Sequence, residues 1–234
     1  MTALLYTLLA THCTIVCVTI YLHRGVTHKS LEFSAVLAHA MRFWLWLTTG
    51  MVTKQWVATH RLHHRYTDQA QDPHSPQNVP IFKILFCGAL LYRQAVKDKT
   101  MCETYGVGTP CDWIERNVYT RFNFAGILLL LIFNFFAFGY WGILCWIVQM
   151  LWIPFWAAGV VNGLAHYCGY RNFNTKDRSH NISACAVLIG GEELHNNHHL
   201  DPANPKLSRR WFEFDLGWMW FSLFRFVRLA KLRT

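Results

Sequence analysis

Two long stretches of the chain contain no Lys, Arg, Asp or Glu: residues 1 to 22 and residues 122 to 170. All 22 basic and 13 acidic residues fall in 23 to 121 or 171 to 234. Segregation this sharp predicts membrane-crossing helices. A 22-residue helix is about 33 Å long, enough to cross a hydrocarbon core of about 30 Å, so Met1 to Leu22 is one predicted span. It lacks a basic leading segment and is followed by His23-Arg24 instead of a small-residue cleavage site, so it is read as structure and not as a signal peptide. Phe122 to Leu144 and Trp146 to His166 are the second and third predicted spans, with Gly139 and Gly142 marking the turn between them. That turn is uncharged and aromatic, as a short non-cytoplasmic connection should be.

A fourth apolar run, Phe33 to Thr53, includes His39 and Arg42 and separates two histidine-rich segments. If it crossed the bilayer, those segments would lie about 30 Å apart. Ligands of one metal ion must sit about 2 Å from it. A shared site therefore predicts an interfacial or re-entrant helix over 33 to 53, with all histidine clusters on the basic, cytoplasmic side. Three spans then put the N-terminus outside.

Composition supports this picture: 53% of residues are apolar and 15% charged. The net charge of +9 is scattered through two polar regions and interleaved with acids, which argues against a nucleic-acid stripe. Arg209, Arg210, Arg225, Arg228, Lys231 and Arg233 are expected to meet anionic lipid headgroups. Eight cysteines form no CxxC pair, so neither a disulfide framework nor a zinc ribbon is indicated. With no repeat or linker, the reading is one all-α integral membrane domain, residues 1–234, carrying a histidine-rich metal-binding cap.

The candidate chemistry lies in the histidines. Of 13, eight fall in three short boxes: His23 and His28; His60, His63 and His64; His195, His198 and His199. In the second and third boxes the i, i+3, i+4 spacing puts two imidazoles on one helical face, able to converge on an ion. The first box has i, i+5 spacing, which a continuous α-helix would splay apart, so a helix end breaking near Gly25 is expected. A ninth candidate, His166, follows Asn162 at i+4 beside an apolar span, where polar groups are functional by default. Imidazole suits zinc, copper, iron and nickel. Eight box histidines over-supply one zinc ion and fit two ions. The soluble carboxylate-bridged di-iron pattern is matched only by Glu192-x-x-His195. His12 is read as a packed polar residue, His39, His74 and His180 as non-ligands, and Pro154 as a helix kink.

HRxxxH, HRxHH, NxxxH and HNxHH in this order, with Trp56 before the second box and Asp72-Pro73-His74 after it, resemble membrane fatty acid desaturases of the acyl-CoA desaturase type, in a short bacterial-like form. The resemblance runs from about His23 to Leu216. It implies that His23, His28, His60, His63, His64, His166, His195, His198 and His199 hold two irons, with Asn162 reaching a metal through water and Trp56 touching substrate. It also implies O₂ as co-substrate, a fatty acyl chain converted to a cis-alkene, a multi-pass location (the inner membrane if bacterial) and contact with membrane lipid. Electrons would come from an external ferredoxin or small cytochrome with its reductase, since the chain has no haem, flavin or nucleotide motif and no ferredoxin cysteine pattern. Two features depart from the family. Only 22 residues precede the first box where a helical hairpin is usual, and Gly191-Glu192-Glu193-Leu194 replaces Gly-Glu-Gly-aromatic. A lipid or alkane hydroxylase with the same metal site is the rival enzyme. A histidine-rich metal-binding or transport protein is the rival of another class, disfavoured because the boxes lie outside the spans.

Overall fold

The computed structural model describes residues 1–233 and is mostly helical. Helix α1 (Thr2–Val16) continues without a break as a π-helix, Cys17–Thr27, giving 26 residues in all. It is followed by α2 (Ala35–Thr49), α3 (Thr53–Arg65), α4 (Ile81–Ala95) and α5 (Lys99–Tyr105). The apolar pair α6 (Asn123–Phe138) and α7 (Tyr140–Ile153) comes next, and α7 runs on as a π-helix, Pro154–Val161, and a 3₁₀ turn, Leu164–His166. A short π-helix, Glu115–Thr120, precedes α6, and short α8 (His195–Leu200) and α9 (Leu216–Phe226) follow later in the chain.

Two helices, Thr2–Thr27 and Tyr140–His166, are long and apolar enough to cross a membrane by length and composition. The remaining apolar helix, α6, has 16 residues and so spans about 24 Å. The expected boundaries 122–144 and 146–166 shift because Gly139, at φ +60°, reverses the chain, so that α7 begins at Tyr140, six residues before the sequence pattern placed the next span. Gly142 serves packing instead: a Cβ there would collide with the Asn134 carbonyl of α6. Inside this apolar layer, Tyr6 of α1 donates to Asn134 Oδ1 at 2.6 Å, and Asn134 Nδ2 donates to Gln149 of α7 at 2.9 Å. Partnered polar groups of this kind tie apolar helices together where water is absent. Pro154 produces no sharp break. The winding loosens into the π-helix at the residue that lacks an N–H.

Helix α2 occupies the run expected to be interfacial or re-entrant. It meets α6 at its foot: Trp46 Nε1 donates to the Phe122 carbonyl at 2.9 Å, and Asn123 Nδ2 donates to the Gly50 carbonyl at 3.1 Å. Arg42 on α2 pairs with Asp112 and Glu115, just before α6. Helix α4 crosses the π-helical end of α7, where Gly88 and Gly159 let the backbones approach; a Cβ on Gly88 would lie 2.7 Å from the Ala158 carbonyl.

The all-α expectation needs one correction. Strand β1 (Leu31–Phe33) pairs antiparallel with β4 (Ala230–Leu232), and β2 (Cys185–Ala186) pairs in parallel with β3 (Phe214–Asp215). Ladders of two or three residues between distant segments leave no alternating pattern to read. They close the C-terminal region over the end of α1, where Ile20, Leu22, Val57 and Phe221 are buried together.

Candidate metal centre

Box one sits in the π-helix, so the expected break at Gly25 does not occur. Hydrogen bonds in this winding run i→i+5, as from the His28 N–H to the His23 carbonyl at 3.0 Å. Residues five apart therefore share a face, and the Nε2 atoms of His23 and His28 lie 3.1 Å from each other. Box two lies on α3 and box three on α8, where the i, i+4 pairs His60/His64 and His195/His199 each converge. The i+3 member of each box turns to the other group.

The outcome is two adjacent groups. His23, His28, His60, His64 and His198 form one, with ligand atoms all within 4.8 Å of one another. His63, His166, His195 and His199 form the second under the same limit. His166 enters through the 3₁₀ turn that ends α7, its Nε2 lying 2.9 Å from that of His195. His74, read as a non-ligand, is buried beside His63, and the two form a third potential grouping with Asp72. His12 accepts a hydrogen bond from Trp220 at 3.0 Å, and His39 stacks on Tyr119.

Carboxylates orient the imidazoles. The Nδ1–H groups of His23, His63, His166 and His199 donate to Glu192 (2.9 Å), Asp72 (2.9 Å), Asp68 (3.2 Å) and Asp177 (3.0 Å). A proton held at Nδ1 leaves the Nε2 lone pair facing the centre. Burial, reinforced by neighbouring histidines, pushes the pKa of His60, His64, His195 and His198 well below the ordinary value. Burial likewise lowers His199 to about 4, although Asp177 opposes the shift. These rings are neutral at neutral pH, as a metal ligand must be. Burial alone would raise the carboxyls of Asp72 and Asp177, but the adjacent imidazoles and N–H donors outweigh it and hold both below the usual range.

The donor set fits a metal. The Nε2 atoms of His63 and His199 are buried without a hydrogen-bond partner while their Nδ1 atoms are held by carboxylates. Buried polar atoms are rarely left so. A converging set of neutral imidazole nitrogens is what zinc, copper, iron or nickel binds.

Beside the groups lies a cavity of about 740 Å³, lined by His23, His60 and His74 at one part and by apolar side chains such as Val18, Met51, Ile153 and Val161 elsewhere. Trp56 lines it and stacks on His60, with ring centroids 5.1 Å apart and planes within 4°. Asn162 also lines it, outside both histidine groups. Arg93 and Lys97 line another part of the wall.

A family model described as fatty acid desaturase matches residues 1–220. The chain belongs to the fatty acid desaturase family. Its relatives include the sn-1 stearoyl-lipid 9-desaturase of Anabaena variabilis, 31% identical over 217 residues, which span 91% of this chain and 76% of that protein. The Delta-9 acyl-lipid desaturase 2 of Arabidopsis thaliana is 28% identical over 225 residues, with 91% and 68% covered. The acyl-CoA C20 Delta5-desaturase of Anemone leveillei is 30% identical over 225 residues, with 91% and 67% covered. The enzyme is thus an oxidoreductase of lipid metabolism whose histidine clusters could hold a metal.

The departure from the family pattern at Glu193 has a local explanation in this desaturase. The buried Glu193 carboxylate accepts from the backbone N–H groups of Ile189 (2.9 Å) and Gly191 (3.2 Å), closing a loop in which Gly190 and Gly191 both have positive φ. That loop delivers Glu192 to His23. Arg24, fully buried, holds the same loop from the other side: it donates to both Asp215 oxygens at 2.9 Å and to the Gly190 and Pro205 carbonyls. Asn196 and Asn197 fix the six-residue α8. Asn196 accepts from the Asn172 and Phe173 N–H groups, and Asn197 donates to Glu213 and the Leu207 carbonyl. Histidine spacing did not reveal the orienting carboxylates. Asp68 and Glu192 lie within four residues of a box histidine and Asp72 eight residues after His64, a proximity that could have found them; Asp177 lies 18 residues from the nearest box and carries no such signal.

Proposed function

We propose that the protein is an O₂-dependent fatty acyl desaturase that introduces a cis double bond at a histidine-ligated di-iron centre. The observation that carries this reading is the pairing of two histidine groups with an apolar cavity against them. One iron would be held by His23, His28, His60, His64 and His198, and the other by His63, His166, His195 and His199, with Asn162 reaching the site through water. Bound there, the irons supply the oxidising power needed to remove hydrogen from unactivated methylenes, which no side chain possesses.

The remaining work belongs to the chain's own residues. The cavity volume falls in the range of roughly 300–1,000 Å³ usual for ligand sites, and its apolar lining keeps the acyl chain dry. Trp56, braced on His60, fixes the part of the chain beside the first histidine group, so that two neighbouring carbons stay in reach long enough for both hydrogens to leave. Glu192, Asp72, Asp68 and Asp177 hold the Nδ1 protons in place throughout. Overall, two C–H bonds break and one C=C bond forms. O₂ accepts four electrons, two from the substrate and two from an external donor, and leaves as two waters.

The helix ends that bear histidine would lie on the cytoplasmic side of a membrane entered by α1, α6 and α7. Support comes from the exposed faces of α6 and α7, which present Leu128, Ile132, Phe136, Leu144 and Leu151. Incubation with a saturated acyl substrate, O₂ and a reduced ferredoxin-type donor should yield a cis-monoene and water. An alcohol carrying an atom of labelled O₂ as main product would refute desaturation in favour of hydroxylation.

A further inference from the structure

The histidine groups have a second face, away from the apolar cavity. A polar depression of about 470 Å³ shares no lining residue with that cavity. On its walls are His64 of the five-histidine group, and Asp68 and Asp177, which hold His166 and His199 of the other group. Both groups are therefore one or two side chains from this surface. Arg65, Lys176 and Arg178 also line the depression, and all three are exposed. Among the described residues none of the three is in a salt bridge. Asp68 and Asp177 line the same depression and offset part of this charge, but their oxygens are held by imidazole, hydroxyl and backbone N–H donors and they are less exposed than the three cations, which leaves an excess of one positive charge with the cations outermost.

We propose that this depression is the docking site for an acidic, one-electron carrier protein. The inference deepens the desaturase reading and rests on it. Two electrons per turnover must enter from outside, one carrier at a time, while acyl chain fills the apolar cavity; the polar face is the side left to a water-soluble partner. Electron transfer weakens steeply with distance, and from this face His64 is reached directly and the second group through Asp68 or Asp177. Each oxidised carrier leaves after giving up one electron, the two protons that accompany the pair come from solvent, and the two substrate hydrogens complete the two waters. Unpaired cations around a polar floor suit fast, transient, electrostatically steered encounters.

The test uses full-length enzyme in neutral-lipid nanodiscs, loaded with iron and saturated acyl substrate. Lys176→Glu/Arg178→Glu is compared with wild type and with the conservative Lys176→Arg. Two reductants are supplied: a reduced acidic [2Fe–2S] ferredoxin, and the small neutral radical of photoreduced deazariboflavin, which needs no docking. Steering contributes about 10- to 1,000-fold to association rates, so the double reversal should lower kcat/KM for ferredoxin at least about tenfold and flatten its salt dependence. Monoene formed with the deazaflavin radical should be unchanged, and Lys176→Arg should behave as wild type. Unaltered ferredoxin kinetics at low salt would overturn the proposal. An equal loss with both reductants would also overturn it, by showing that the cations only support the fold. Loss of binding to phosphatidylglycerol vesicles with normal ferredoxin kinetics would reassign the rim to lipid. If wild type made no monoene with either reductant, the desaturase reading itself would fail.

Discussion

Asp177→Asn is the sharpest single perturbation of the proposed iron site, because it changes one atom and no shape. Asp177 Oδ2 faces His199 Nδ1 at 3.0 Å, while Oδ1 accepts from the Ser179 N–H at 3.0 Å and from the Thr175 hydroxyl at 2.8 Å. The Ser179 N–H cannot reverse its role, so the asparagine oxygen must stay on that side and its NH₂ must face His199. His199 Nδ1 then has to accept, which moves the ring proton to Nε2, where a lone pair is needed. The four-histidine group loses one of its ligands, and the five-histidine group keeps all of its own. Loss of an outer-shell partner costs about 10- to 100-fold in metal affinity, or about 1.4 to 2.8 kcal/mol at about 1.4 kcal/mol per decade. Iron per protein, measured by mass spectrometry after dialysis against a graded chelator, should fall from two toward one at chelator strengths that leave wild type full. Thermal unfolding of the metal-free proteins should differ little, since the Ser179 and Thr175 bonds survive. Unchanged iron retention would refute the tautomer argument. Simultaneous loss of both irons would refute the independence of the two groups.

Other substitutions test separate parts of the structure. Arg24→Met leaves Asp215 buried without its partner; breaking such a pair costs about 3–5 kcal/mol, and a lowered Tm or loss of folded protein checks it. Lys at this position should rescue poorly, because it cannot span both Asp215 oxygens. Gly142→Leu should separate α6 from α7 by collision with the Asn134 carbonyl, seen as a lowered Tm in detergent with the iron stoichiometry of the surviving protein unchanged. Cysteines placed at Lys29 and Gln69, after the first and second boxes, should label from the same side of the membrane once the exposed native cysteines are replaced by serine. Labelling from opposite sides would contradict a shared centre.

The eight box histidines and His166 come together in two adjacent groups, and those of the second and third boxes were the most legible, because imidazoles at i, i+3 and i+4 are a local pattern that needs no knowledge of distant contacts; His74, which has no such spacing, is gathered beside His63 as well. Charge-free blocks likewise announced the apolar helices, since burial in lipid or protein imposes its cost on every residue of a segment. Their ends were less legible: Gly139 and Gly142 look alike in sequence, and only backbone conformation and packing distinguish the one that turns from the one that is packed upon. The π-helix was not legible in the first box, because an i, i+5 pair is compatible with either a helix end or a looser winding until the contacts around it choose. Tertiary structure alone decided the five-and-four division. Helical spacing tells which rings share a face, but not which face looks toward which neighbour, and so His63 and His198 could not be assigned from their boxes. It also decided the carboxylates, most clearly Asp177, brought to His199 by a loop whose course is set by Asn196, Ser179 and Thr175 and not by any local periodicity. The imidazole donors that could hold a metal are written in residue types at short range, whereas the ring orientations and proton positions depend on contacts between residues far apart in the chain.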